Sequence, residues 1–173
     1  MGLPVSKFVA STNINDVVPE YLVSGQFQPR TSEQTISNAM DVGNPSNFAR
    51  ILDLFQNNFD RISEVISGYA FNDEETREAM RQVFANGGYM MDPHGAVAYL
   101  GLKKYLKDSK SNALGVFAET AHPAKFREVV QQTLSSTVEI PEKLLKFMSL
   151  SKKTIPMAAS YDAFRTMLID KLV

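Results

Sequence analysis

Two polar side chains in a short turn, Thr120 and His122, are the residues of this chain best placed for chemistry. The apolar run from Leu114 to Phe117 predicts a buried strand before this turn, because a continuous apolar run is typical of a parallel strand covered on both faces. After the turn, the spacing from Lys125 to Leu134 predicts a helix. Because α/β proteins bind ligands where a strand ends and a helix begins, both side chains are candidates for a binding site.

A second polar turn, near the N-terminus, contains Asn13 and Asn15. The segment from Pro4 to Ser11 alternates and then ends apolar, which predicts a strand. Asn15 or Asp16 is suited to cap the helix that follows. The two amides would then lie at the carboxyl end of the strand. The alternative is that Asn13 and Asp16 only satisfy backbone groups of the turn and of the helix cap, as Asn and Asp commonly do.

A third candidate segment has small residues around Ala39, which follows Ser37 and Asn38. Its backbone is bare enough to pass close to a flat ring. The sequence Gly43-Asn44-Pro45 then predicts a turn before a helix. The alternative interpretation is that this segment is simply the capped start of that helix.

His94 lies in the first turn of a predicted helix, with Asp92 as the cap and Pro93 at the first helical position. The helix N-terminus favours an anion, which makes His94 a candidate for contact with a negatively charged ligand. The alternative is a structural or solvated histidine, because one titratable group does not form a catalytic set.

Most of the remaining chain is predicted to be helical and contains no recognisable catalytic motif. Apolar residues recur at helical spacing from Phe48 to Tyr69, with a break expected at Asn57-Asn58. A further helix is expected from Asn72 to Gly87, so that residues 48–88 form a helical insertion. Two more helices are predicted for residues 143–148 and 160–172.

The composition excludes several classes of protein. The 173 residues have a net charge of −1 and are 44% hydrophobic, which suffices for one domain with a core. Interspersed charges without a basic patch argue against nucleic-acid and membrane-surface binding. The chain has no cysteine, its two histidines lack metal-ligand spacing, and no apolar run approaches a membrane span. We therefore expect a cytoplasmic protein without a metal site.

Four blocks of the sequence resemble the threonine synthases, a family of pyridoxal-phosphate enzymes, and they occur in the same order. They are FVASTNINDVVPEYL (8–22), QTISNAMDVGNPSNFARILDLF (34–55), MDPHGAVAYLGL (91–102) and GVFAETAHPAKF (115–126). The resemblance implies an α/β fold, with a few-stranded parallel sheet and many helices, that is part of the tryptophan-synthase-β-like fold (fold type II). It also implies the conversion of O-phosphohomoserine and water to threonine and phosphate.

The resemblance assigns roles to the candidate residues. Thr120 matches the neutral hydroxyl that faces the pyridine nitrogen of the cofactor in this fold type. Ser37, Asn38 and Ala39 would line the cofactor pocket, mainly through their backbone. The substrate-binding candidates are Asn13, Asn15, His94 and His122.

One departure from the family is large. The family's Schiff-base lysine and its phosphate-gripping loop lie upstream of the region matched here, and none of this chain's lysines has that motif; Lys125 belongs to a different block. The chain is thus expected to be the C-terminal portion only, inactive alone, and prone to self-association through uncovered apolar surface. The alternatives are a catalytically silent scaffold or binding domain and a related pyridoxal-phosphate amino-acid dehydratase.

Overall fold

The computed structural model describes residues 4–172. The chain divides into two compact units, Met1–Glu139 and Ile140–Val173. The strands and helices of the first unit are β1 (Phe8–Thr12), α1 (Val17–Ser24), α2 (Phe48–Leu54), α3 (Phe59–Val65), β2 (Ile66–Ala70), α4 (Asp73–Gly87), α5 (Pro93–Ser109) and α6 (Arg127–Leu134). Short 3₁₀ turns lie at Asn38–Met40 and Pro123–Phe126. The second unit contains α7 (Glu142–Met148) and α8 (Tyr161–Leu172).

The two strands form a parallel sheet with helices on both faces. β1 and β2 pair in register from Phe8 opposite Ile66 onwards. Gly68 faces α1, where an added Cβ would lie 2.7 Å from the Cα of Pro19. Successive residues of a strand point to opposite faces, so Ser11, which contacts Gly101 of α5, lies on the other side. The predicted α/β fold, with few parallel strands and many helices, is confirmed.

β2 corrects the prediction that residues 48–88 are a purely helical insertion. The predicted break is present, since Gln56 and Asn57 have φ values of 54° and 56° and separate α2 from α3. The chain then extends at Ile66 and forms the partner strand of β1. Apolar spacing alone does not distinguish a short buried strand from the end of a helix. Here the close approach of β2 to α1, which Gly68 permits, decides in favour of the strand.

The second correction concerns the predicted buried strand from Leu114 to Phe117. This segment has no regular secondary structure and pairs with no strand among the described residues. Leu114 is 93% exposed and Val116 is 83% exposed, whereas Phe117 is half-buried and packs edge-on against Tyr99 of α5. The side of this segment that carries Phe117 therefore packs against α5, and the side that carries Leu114 and Val116 is exposed to solvent. The prediction of a buried strand at this position is therefore wrong, both in the strand itself and in the burial of Leu114 and Val116.

Two apolar clusters support the sheet. One joins α1, α2 and α3 through Tyr21, Phe48 and Ile62. The other joins α4, α5 and α6, and its fully buried members include Met80 and Val130. This second cluster includes Ala96 and therefore fixes the N-terminal half of α5, where the candidate residue His94 lies.

The second unit has little core of its own. Each of its residues whose side chain is described is exposed or half-buried. Its apolar residues with the largest exposure are Phe147, Met148, Leu150 and Tyr161. In the part of the chain that the structure describes, no helix combines the length and the apolar character needed to cross a membrane.

Candidate functional site

A buried polar network begins directly after β1. Asn13 is 1% exposed, and its Nδ2 lies 2.7 Å from Thr35 Oγ1 and 2.8 Å from Asp41 Oδ1. The same nitrogen lies 3.1 Å from Ser37 Oγ. Because an amide nitrogen has only two hydrogens, it donates to two of these acceptors at a time. The Oδ1 of Asn13 accepts from the backbone N–H of Asn15 at 2.9 Å. The network ties the end of β1 to residues 35–41.

Asn15 extends this network. Its Nδ2 donates to the carbonyl of Glu33 at 2.9 Å, and its Oδ1 accepts from the backbone N–H of the same residue at 2.8 Å. Asp41 Oδ2 accepts from the backbone N–H of Thr35 at 3.0 Å. The side-chain polar atoms of Asn13 and Asn15 are thus engaged within the chain, mainly with residues 33–41 and only in part with the backbone of their own turn. Neither Asn15 nor Asp16 caps α1 with its side chain, because Asp16 pairs with Arg30 instead.

In the segment 35–41, which this network holds, Ser37 is buried and the next two residues are exposed to solvent. Ser37 is 1% exposed, whereas Asn38 and Ala39 are exposed on the 3₁₀ turn that follows. A further anchor is the backbone N–H of Ile36, which donates to Asp73 Oδ1 at 3.2 Å. The turn is therefore held in place by the buried residues that precede it, while Asn38 and Ala39 are exposed to solvent.

His94 connects this turn to α5. Its Nε2 accepts from the backbone N–H of Ala39 at 3.1 Å, and its Nδ1 lies 2.7 Å from Asp92 Oδ1. Asp92 also caps α5, since Oδ1 accepts from the backbone N–H of His94 at 2.8 Å. The imidazole packs against the ring of Phe126 with 4.5 Å between centroids. One side chain thus contacts the Ala39 turn and the segment that follows His122.

Glu119, which directly precedes Thr120, anchors the segment that carries Thr120. Its Oε1 accepts from the backbone N–H of Asp92 at 2.9 Å, and its Oε2 accepts from the Tyr89 hydroxyl at 2.7 Å. The hydrogen bond to Glu119, followed by burial and by the negative charges of Glu119 and Asp92, raises the pKa of Tyr89 above its ordinary value. Through these two bonds Glu119, the residue before Thr120, is attached to the start of α5.

Thr120 and His122 are both exposed. His122 caps the second 3₁₀ turn, where its Nδ1 accepts from the backbone N–H of Ala124 at 3.1 Å. A ligand-binding role would be excluded if Thr120 were packed in the interior. Thr120 is exposed, so it remains a candidate.

The N-terminus of α5 is the point at which the separate candidate segments meet. His94 contacts the Ala39 turn directly, and Asp92 is bonded to the residue that precedes Thr120. Sequence reasoning did not single out Glu119, Tyr89 or Asp41 as contributors. The proximity of Glu119 to Thr120 in the sequence was the only available signal, because the partners of Glu119 come from another segment.

Comparisons with known proteins show what this chain is similar to. The family model described as "Threonine synthase, C-terminal" matches residues 95–168. The chain is 41% identical over 169 residues to the threonine synthase of Haemophilus influenzae, covering 98% of this chain and 39% of that protein. The crystal structure of threonine synthase from Escherichia coli superposes with a TM-score of 0.81 at 37% identity, covering 98% of this chain and 39% of that one.

A third similar protein is the PLP-bound threonine synthase from Brucella melitensis, with a TM-score of 0.74 at 25% identity over 88% of this chain and 37% of that one. The chain therefore has the α/β fold of part of a fold-type-II pyridoxal-phosphate enzyme. More specifically, it corresponds in sequence and fold to the C-terminal portion of threonine synthase. It spans 39% of the length of the first curated relatives it matches.

Proposed function

We propose that this chain serves as the C-terminal part of a cytoplasmic threonine synthase, which converts O-phosphohomoserine and water to threonine and phosphate with pyridoxal phosphate. The observation that carries the proposal is the convergence of two segments on the start of α5. His94 accepts a hydrogen bond from the Ala39 turn there, and Glu119, which directly precedes Thr120, is bonded to Asp92. Both segments belong to blocks that resemble the family, and the similarity to its members extends over 98% of the chain.

The residues present fit one wall of a cofactor site. Thr120 offers an exposed hydroxyl on an anchored backbone, and a hydroxyl can bond to a pyridine nitrogen without fixing a proton on it, as a carboxylate would. Asn38 and Ala39 offer exposed backbone on a turn held from below. When bound, pyridoxal phosphate supplies the electron sink for the reaction. We assign Thr120 to its ring nitrogen and Ser37, Asn38 and Ala39 to the wall of its pocket.

The substrate-facing assignments separate into two kinds. His122 is exposed and is our candidate for direct contact with the substrate. Asn13, Asn15 and His94 are buried, and their polar atoms are engaged within the chain. We propose that these three residues border the substrate and shape its site through the segments that they hold.

The 173 residues are proposed to be inactive by themselves. None of their lysines lies in a motif that matches the family's Schiff-base lysine, and the open face at Leu114 and Val116 is unpaired among the described residues. Adding pyridoxal phosphate should therefore give no Schiff-base absorbance, and borohydride reduction should fix no cofactor to a lysine. A reduced adduct at one lysine, found by mass spectrometry, would contradict this inference.

The catalytic proposal is tested by combining the chain with the part of the Escherichia coli enzyme that it does not match. Phosphate release from O-phosphohomoserine should then appear. Thr120→Val, which keeps the shape and removes the hydroxyl, should lower the rate by roughly 10²-fold, the scale of losing one well-placed polar contact. Thr120→Ser should retain most of the activity.

The matched control is Thr166→Ala, at an exposed threonine of α8. This substitution should leave phosphate release unchanged. If the combined protein releases no phosphate while both parts are folded, the chain is better explained as a silent domain with this fold. Activity with other hydroxyamino acids, and none with O-phosphohomoserine, would indicate a dehydratase.

A further inference from the structure

We propose that His94 is a positioning residue whose uncharged ring, with its proton on Nδ1, sets the place of the Ala39 turn, and that Asp92 selects this tautomer. The consequence for a cofactor wall rests on the proposed function. The hydrogen-bonding role itself does not, because it concerns only groups within this chain.

The direction of both hydrogen bonds follows from the atoms involved. The backbone nitrogen of Ala39 can only donate, so the Nε2 that lies 3.1 Å away accepts and carries no proton. An uncharged imidazole then has its proton on Nδ1, which lies 2.7 Å from Asp92 Oδ1, an acceptor. The opposite tautomer would place a donor against the Ala39 donor and an unprotonated nitrogen against a carboxylate. Only one arrangement of the proton satisfies both neighbours.

The surroundings of His94 favour a fixed ring. Its side chain is 9% exposed, and that of Asp92 is fully buried. The Oδ1 that receives Nδ1 is also held by the backbone N–H of His94, so the carboxylate is oriented by the helix start. Phe126 covers the ring on another side. With both ring nitrogens engaged, His94 contributes to a site by placing the Ala39 turn and not by exchanging protons with a substrate.

Asp92 provides independent support for a role in selecting the tautomer. Its Oδ2 is buried and has no hydrogen-bond partner in the described part of the chain. Leaving a buried acceptor unpaired is unfavourable, so a residue with a single acceptor would serve better if capping α5 were the only requirement. A carboxylate beside Nδ1, at 2.7 Å here, favours the tautomer with the proton on that nitrogen.

The first test is ¹⁵N NMR of the two imidazoles in the chain. The proposal expects His94 to carry a proton on Nδ1 and none on Nε2 at neutral pH. His122 is exposed and serves as the internal reference, because its Nδ1 accepts from the Ala124 N–H. His122 should therefore have its proton on Nε2, the opposite tautomer. A proton on Nε2 of His94, or protons on both nitrogens, would overturn the proposal.

The second test compares two substitutions that each keep one half of the contact. In His94→Gln the amide oxygen reaches the position of Nε2 and can still accept from Ala39. In His94→Asn the amide reaches only the position of Nδ1 and can still donate to Asp92. The Ala39 N–H should exchange with solvent slowly in the unchanged chain and in His94→Gln. It should exchange about tenfold faster or more in His94→Asn, the scale of losing one hydrogen bond.

The reference for folding is the N–H of Gly88, which donates to the carbonyl of Phe84 at the end of α4. Its exchange should be the same in all three proteins. Equal protection of Ala39 in both variants, or fast exchange in the unchanged chain, would overturn the proposal. If either variant fails to fold, the tautomer measured in the unchanged chain decides.

A catalytic readout then separates this inference from the proposed function. In the combined protein, His94→Gln should retain more phosphate release than His94→Asn, with the difference in kcat and not in KM. An inactive combined protein would contradict the proposed function, yet the tautomer and the exchange rates would still test the role of His94. Equal kcat in both variants, with Ala39 exchange differing as expected, would overturn its link to the cofactor wall.

Discussion

Glu119 shows how a single carboxylate determines where a candidate site residue lies. Both of its oxygens accept hydrogen bonds from the segment before α5, one from the Asp92 backbone and one from the Tyr89 hydroxyl. The next residue in the chain is Thr120, whose backbone position is therefore set by the preceding side chain. At this scale, the Glu119 anchor sets where the exposed Thr120 lies relative to the N-terminus of α5.

This anchor predicts a measurable titration. The pKa of Tyr89 is raised because Glu119 accepts from the neutral phenol and opposes a second negative charge. Since the folded pKa exceeds the unfolded one, the stabilisation is fully present below the ordinary tyrosine pKa, about 10, and is lost as the pH rises through the folded pKa. Glu119→Gln removes the charge, and the pKa of Tyr89 should fall towards its ordinary value.

The measurement is a phenolate absorbance titration, with Tyr89→Phe used to identify the contribution of this residue among the six tyrosines. Glu64→Gln, on the exposed side of α3, is the control and should leave the titration of Tyr89 unchanged. An unchanged pKa in Glu119→Gln would mean that the carboxylate does not anchor this segment.

At the scale of the elements, the contact between α5 and β1 positions the site. Gly101 lies against Ser11, and an added Cβ would be 2.9 Å from the Cβ of that serine. The helix can therefore approach the strand closely only where it has no side chain. Because the N-terminus of α5 carries Asp92 and His94, a shift of this helix would move the anchors of both candidate segments.

Gly101→Ala should destabilise the chain although alanine favours helices. Alanine gains up to about 1 kcal/mol in helix propensity, but forcing a Cβ into a packed contact costs roughly 1–3 kcal/mol. The net loss should appear as a lower midpoint in urea unfolding. Gly87→Ala is the matched control, because a Cβ at this position in α4 meets nothing within 4 Å. This variant should be as stable as the original chain or more stable. Equal stability of the two variants would mean that α5 and β1 are less closely packed.

The elements also show which sequence signals were sufficient. Asn72 and Glu75 form a capping box at α4, and Asp92 caps α5 with Pro93 at its first position, as their residue types predict. Caps depend on neighbours in the sequence, so they can be read from it. β2 was missed because a strand of five residues is defined by its pairing with β1, and the pairing partner lies 58 residues earlier in the register.

At the scale of the whole molecule, the segment 112–120 carries two of the most exposed large apolar side chains of the first unit's described residues, Leu114 and Val116. Both side chains are exposed, and their backbone pairs with no strand among the described residues. Extended, unpaired and apolar edges promote pairing with other chains. If the chain self-associates as predicted, we expect the contact to involve this segment.

Replacing Leu114 and Val116 together by lysine should reduce self-association. The added charges disfavour pairing of the edge, and the exposed positions leave the packing of Phe117 intact. Sedimentation velocity over a range of concentrations should show a smaller fraction of large species. The control is Val23→Lys, an equally exposed apolar residue on α1 at 86% exposure. If the control lowers association as much, the effect comes from net charge and not from this edge.

The sequence by itself determined most of the helices, the caps of α4 and α5, and the family blocks, because each depends on residues close together in the chain. It also indicated which residues are candidates for the site. Only the tertiary structure decided what these residues do. Whether Asn13 is a ligand or a link to Asp41, and whether His94 faces a substrate or holds Ala39, depends on partners 28 and 55 residues away. A hydrogen-bonding group has the same capacity in every context, and its role is set by the atom that the fold brings opposite it.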